Sequence, residues 1–166
     1  MRWARHRIFL PIFAILFLSV PLSSQTLDPQ TAGVTEEEVR QFLKQYKNRY
    51  TRKDIDGFIS LFSSKAIQNE REGFDDIKKM YSDFFHQSKT LGYHIEDMKI
   101  TIYKEVLIFG LYYERATSVE AQYTVNQILK KTGKKKSWGG TVRWILIREN
   151  GALKILSLDF RHQNSQ

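Results

Sequence analysis

Asp54-Ile55-Asp56-Gly57-Phe58-Ile59-Ser60-Leu61-Phe62 is the stretch on which the fold turns. Asp54 is placed to cap a short helix, and Ile55, Phe58, Ile59 and Phe62 fall on one side of it. A brief extended piece follows around Ala66 to Glu70. Upstream, Thr35 and Glu38 stand at capping-box spacing, and three acids in that first turn suit the positive end of a helix dipole. Val39, Phe42, Leu43, Tyr46 and Tyr50 then repeat at helical spacing to about Arg52. Downstream, Gly73 precedes a third helix with the stripe Phe74, Ile77, Tyr81, Phe84 and Phe85.

From Leu91 the period changes. Met98, Ile100 and Ile102 alternate, and Val106 to Tyr113 is an almost unbroken apolar run. Ala121, Tyr123, Val125 and Leu129 mark a further extended segment. The turn Lys131-Thr132-Gly133-Lys134 leads into Trp138 to Ile147, and Asn150-Gly151 is a strong hairpin signal before Leu153 to Phe160. Helices first and long strands afterwards predict an α+β fold rather than a doubly wound sheet.

The chain has 166 residues, room for one ordinary domain. Apolar residues make up 42% and aromatics 13%, which excludes a disordered or fibrous chain. The absence of cysteine excludes disulfides, thiolate metal sites and a cysteine nucleophile. Arg2, Arg5 and Arg7 precede the 13-residue apolar run Ile8 to Val20, and Pro21 to Gln25 supplies a breaker and small residues. A membrane-crossing helix needs roughly 20 residues, so residues 1–24 read as a secretory signal and the protein as exported, periplasmic or secreted. The competing reading is an uncleaved N-terminal membrane anchor. Cleavage after Ser24 would remove three arginines from a chain of formal charge +8 and leave 142 residues at +5. Residues 25–34 then form a polar tether, 35–162 the domain and 163–166 a tail.

The stretch quoted above, followed by Ala66, resembles the signature of the nuclear transport factor 2-like superfamily. The helix from Gly73 with Ile77 and Tyr81, and the ending Trp144 to Ile147, Asn150-Gly151 and Lys154-Ile155, are also similar to it. The resemblance covers roughly Thr35 to Arg161. It implies a cone, in which three N-terminal helices pack on a strongly bent antiparallel sheet with a pocket at the open end. The superfamily includes ketosteroid isomerases, scytalone dehydratase, limonene epoxide hydrolase, polyketide cyclases and many binding modules. Such short motifs speak for a fold more than for an activity.

Carrying over the steroid isomerase pattern places its oxyanion-donating tyrosine on Tyr46 and its catalytic aspartate on Glu70. The third group, a protonated acid, falls near Ile145, which is apolar, as are Trp144 and Leu146. Half the oxyanion hole is therefore missing. A Tyr and a carboxylate in one apolar pocket remain chemically competent for proton abstraction. Tyr46 equally belongs to the core stripe of Phe42 and Tyr50, and Glu70 can be a solvated rim acid paired with Arg71. The expected pocket comprises Tyr46, Tyr50, Gln68, Glu70 and Tyr81, and would take a small apolar ligand. No metal or other cofactor is implied, because His86 and His94 lack partners at a ligand spacing.

Lys130, Lys131, Lys134, Lys135 and Lys136 flank a tight turn, where a charge run keeps a hairpin tip solvated. Nucleic acid is not expected as a partner, since aromatic residues are not interleaved there apart from nearby Trp138. Leu107 to Tyr113 and Trp144 to Ile147 are apolar at both parities, and a greasy outer sheet face needs a cover. That predicts a homodimer through the sheet face, with Trp144, Arg143 or Ile145 at the contact. The leading expectation is an exported ligand- or partner-binding domain without catalysis. An isomerase, dehydratase or cyclase using Tyr46 and Glu70 is the alternative, and an envelope-complex accessory the third reading.

Overall fold

The computed structural model describes residues 34–162. The expected signal segment, nearly all of the tether and the tail lie outside the described residues. Val34, assigned to the tether, is buried in the core instead.

Helix α1 spans Glu36–Arg52 behind a complete Thr35/Glu38 capping box, and Lys53 ends it in the left-handed conformation. Helix α2, Ile55–Ile59, starts where the Asp54 carboxylate accepts the Gly57 backbone N–H at 3.1 Å. A Cβ at Gly57 would lie 2.0 Å from that carboxylate, so in the geometry adopted here any larger residue would displace the Asp54 side chain. Strands β1 (Phe62–Gln68) and β2 (Glu72–Gly73) lead into α3, Phe74–Gln87. The remaining strands are β3 (Ser88–Ile102), β4 (Glu105–Ile108), β5 (Leu111–Glu114), β6 (Thr117–Leu129), β7 (Lys135–Glu149) and β8 (Ala152–His162).

The main sheet runs β2-β1-β8-β7-β6-β3. It is not wholly antiparallel as expected, because β1 pairs with β8 in parallel. No hairpin joins those two strands, so no turn dictates their relative direction. Register shifts between Glu96 and Lys99 and between Ile145 and Leu146 bend the sheet around the helices. The fold class stands: α+β, with N-terminal helices packed on a curved sheet.

Alternation along β6 sends Val119, Ala121, Tyr123 and Val125 inward, and β7 does the same with Val142, Trp144 and Leu146. Trp144 is fully buried, its ring edge-on to Tyr46 at 5.8 Å. It therefore faces the helices and cannot lie at an outer-face contact. Its neighbours Arg143 and Ile145 do face outward. The central outer face is polar: Arg143 pairs in register with Glu120 and Asp159, and donates to Asp159 at 3.1 Å. The greasy outer surface is confined to one end. There β4 and β5 form a separate two-stranded sheet, and Ile108 and Tyr113 pack over Ala116, Ile145, Ile147 and Leu156. Val106 to Tyr113, whose apolar run predicts part of a greasy outer sheet face, is thus a hairpin of its own outside the main sheet.

Candidate ligand-binding pocket

The cavity opens at the other end of the sheet, where α3 and the ends of β1 and β8 leave the cone unfilled. Its volume is about 200 Å³. Helices contribute Tyr50, Met80, Tyr81 and Phe84, and the sheet contributes Gln68, Tyr93, Tyr123, Val125, Trp138 and Phe160. Asn69 and His162 stand at the rim. The walls are mostly aromatic rings in contact: Tyr50 and Tyr93 have centroids 4.8 Å apart, Tyr93 stacks on Tyr123 at 6.1 Å, and Trp138 meets Phe84 edge-on at 6.0 Å.

Polar groups are few and placed. The Tyr81 hydroxyl donates to Gln68 Oε1 at 3.2 Å, and Gln68 Nε2 lies 3.5 Å from the Met80 sulfur. The Tyr123 hydroxyl and His162 Nδ1 are hydrogen-bonded at 2.9 Å. The buried hydroxyls of Tyr46 and Tyr93 have no hydrogen-bond partner among the described residues. Burial pushes the Tyr46, Tyr81 and Tyr93 phenols well above the ordinary tyrosine range, and neighbouring phenols add to the effect. Burial raises Tyr50 likewise and brings Tyr123 to about 12. Such phenols stay neutral, so they act as hydrogen-bond donors rather than bases.

Tyr50, Gln68 and Tyr81, three of the five expected site residues, line this cavity. Tyr46 lies one layer deeper, enclosed by Phe58, Tyr93 and Trp144. Glu70 is exposed and outside the lining. The correction has a local cause. β1 stops at Gln68, and Asn69 and Glu70 both take positive φ in a tight turn closed by the Arg71 N–H donating to the Gln68 carbonyl. The Asn69 side chain fastens that turn by accepting the Phe160 N–H at 2.9 Å. Alternation would aim Glu70 inward only if the strand continued. Tyr46 and Glu70 therefore do not form a pair in the pocket.

Sequence reading missed Tyr93, Tyr123, Trp138, Phe160 and His162 as wall residues. His162 follows Phe160 by two positions in β8 and pairs with Gly140. Period-two spacing from Phe160 was the available signal.

No family model matches the chain, and no curated protein matches it by sequence. Comparison with solved structures is informative. A nuclear transport factor 2 superfamily protein from Salmonella enterica serovar Typhimurium superposes with a TM-score of 0.60 at 14% identity, covering 78% of this chain and 92% of that one. This is the nuclear transport factor 2-like fold. A Novosphingobium aromaticivorans protein assigned as a scytalone dehydratase shares the fold at TM-score 0.64 and 12% identity, over 76% of this chain and 83% of that one. So does a Xanthomonas campestris protein assigned as a calcium/calmodulin-dependent protein kinase II association domain, at TM-score 0.64 and 11% identity, over 82% and 93%. One nuclear transport factor 2-like cone thus carries names of quite different function, and the activity has to be argued from the site.

Proposed function

We propose that this nuclear transport factor 2-like domain binds a small, flat, largely apolar molecule with one or two polar groups. The observation that supports this most is the aromatic cavity of about 200 Å³ with isolated polar groups at Gln68, Tyr81 and the Tyr123–His162 pair. Mostly apolar walls with a few oriented polar atoms are the usual composition of a small-molecule site. The domain works as an exported binding module, in keeping with the Arg-rich start and short apolar run of its sequence. Dimerisation through the outer sheet face remains part of the proposal. Its support is now the alternating charge row Glu120, Arg143, Asp159 and Arg161 rather than apolar cover.

An isomerase or dehydratase reading is supported by a different observation from the one expected. With Glu70 outside, the group available for proton transfer is His162, hydrogen-bonded to Tyr123 at the rim. Structures of this fold assigned as dehydratases keep that reading in view.

Calorimetric titration of the protein with 1-naphthol separates the outcomes. Saturable binding that Val125→Trp abolishes by filling the cavity is expected, and Tyr81→Phe should weaken it by about tenfold through loss of one oriented hydroxyl. Binding unaffected by Val125→Trp would remove the pocket from consideration. Turnover of any ligand that His162→Ala stops, with affinity retained, would favour the enzyme.

A further inference from the structure

At the end away from the cavity lies apolar surface that a pocket function leaves unused. β4 and β5 are joined through Phe109 and Gly110, both at positive φ, in a two-residue hairpin turn. From Val106 to Tyr113 the sequence holds no charged residue. Ile108 and Tyr113 pack on the sheet, but Leu107, Phe109 and Leu111 are each more than half exposed, and Tyr112 is 81% exposed. Lys104 and Glu105 on one side and Glu114 and Arg115 on the other flank this run in the sequence.

We propose that this hairpin docks the domain onto a lipid bilayer, with Leu107, Phe109, Leu111 and Tyr112 entering the boundary between headgroups and acyl chains.

Where the chain outside the described residues joins the domain supports this occupant. Arg148 on β7 holds Glu38 in the first turn of α1 at 2.8 Å, and the preceding residue, Ile147, lies in the cluster under the hairpin. The start of α1 and the apolar hairpin are therefore at one end of the sheet, and the cavity rim at His162 is at the other. Residues 1–33 precede that start and contain the apolar run Ile8 to Val20 with its arginines. On the competing reading of residues 1–24, an uncleaved anchor rather than a cleaved signal, the chain after Val20 would bring the hairpin end toward the same bilayer and leave the pocket facing away.

The hairpin tip is also small for a protein partner. Its four side chains offer about 500 Å² per copy, so two copies meeting tip to tip bury about 1,000 Å², short of the roughly 1,200–2,000 Å² of stable interfaces. A contact would reach that size only by taking in Ile102 at the end of β3 and the adjacent Tyr103 as well. A bilayer sets no such minimum. Aromatic rings favour the interfacial layer, and a tip with unpaired strand edges can enter only that far, because peptide groups stay hydrated there. Glu105 sits close behind the tip with Lys104, so the contact is apolar and not an attraction to anionic headgroups. This proposal holds whatever occupies the pocket.

Lack of cysteine makes the test direct. Full-length Phe109→Cys carries one environment-sensitive fluorophore, and Thr132→Cys in the lysine turn is the control. On vesicles of phosphatidylcholine, with or without phosphatidylglycerol, the label at 109 should shift to the blue and be quenched by brominated acyl chains, while the label at 132 does neither. Adding Leu107→Ser and Leu111→Ser should lower the inserted fraction by about tenfold per side chain, with the circular dichroism spectrum unchanged. A label at 109 that stays in water on protein-loaded vesicles overturns the proposal. So does a shift that appears without vesicles and grows with protein concentration, which would make a second copy the occupant. A response at 132 that requires phosphatidylglycerol and is absent at 109 would assign the contact to the lysines.

Discussion

Strand β6 is flanked by two hairpin turns that share a backbone device and differ in chemistry. Before it, Gly110 closes β4 onto β5 with φ 76°; after it, Gly133 closes the β6–β7 connection with φ 67°. The second tip is ringed by Lys130, Lys131, Lys134, Lys135 and Lys136, all exposed. It gains nothing by leaving water, and it stands at the end where the pocket opens. The first tip exposes Leu107, Phe109, Leu111 and Tyr112 and stands where α1 begins. The contrast teaches that a glycine turn fixes where a hairpin ends but not what its tip meets. The side chains beside the glycine decide that, and here they give the molecule a solvated end and an apolar end.

The comparison is broken most severely by moving apolar loss from the tip to the core. Trp144→Ala should cost about 3–5 kcal/mol, since it removes a fully buried ring from the inner row. Phe109→Ser with Tyr112→Ser should shift stability by only about 0.5 kcal/mol, as surface changes usually do. Urea denaturation of both variants checks this, and equal losses would mean that the tip packs against the domain.

Alkaline pH probes the pocket end. Folding raises the pKa of Tyr46, Tyr50, Tyr81, Tyr93 and Tyr123 by burial. A raised folded pKa stabilises fully below the unfolded value near 10, and that stability is lost as pH rises beyond it toward the folded values. Thermal melting should therefore fall steeply above pH 10. The absorbance change of these five buried phenols, measured in a variant with Tyr103, Tyr112 and Tyr113 each replaced by Phe, should appear only as the protein unfolds. Ionisation of the five before unfolding in that variant would contradict the enclosed aromatic cluster.

Much smaller is the effect at the apolar end's ion pair. The Arg148 guanidinium beside Glu38, helped by the Thr35 N–H, holds the Glu38 carboxyl below its ordinary range. A lowered folded pKa contributes stability above the unfolded value near 4.5, lost as pH falls through the folded one. The carboxylate is 42% exposed, so solvent screening leaves about 0.5 kcal/mol. Glu38→Gln should cost that much at neutral pH and nothing measurable at pH 2. Smaller still, Lys134→Ala with Lys135→Ala should leave stability within about 0.3 kcal/mol, because that tip is solvated.

The fold was legible where local chemistry acts alone. Thr35 and Glu38 announced α1, Asp54 announced α2, Gly73 announced α3, and the change of period at Leu91 announced the sheet. What depended on distant pairing was not legible. The family resemblance carries a catalytic carboxylate onto Glu70 at the end of an extended β1, but the Asn69 turn, tied to Phe160 from the far end of the chain, ends the strand first. Trp144 was assigned outward because both parities of its strand are apolar; helices α1 and α2 claimed one parity, and the β4–β5 hairpin covered part of the other. In the pocket, Tyr50, Gln68 and Tyr81 were recoverable from helix stripe and strand alternation. Tyr123, Trp138 and His162 come together only through the register of β6, β7 and β8.

Binding in the aromatic cavity is the central claim, and native mass spectrometry tests it most directly. Protein purified from its own host without added ligand should carry a small-molecule adduct, and Val125→Trp prepared the same way should not. Wild type and Val125→Trp both flying at the bare protein mass, with identical responses to 1-naphthol, would contradict the account.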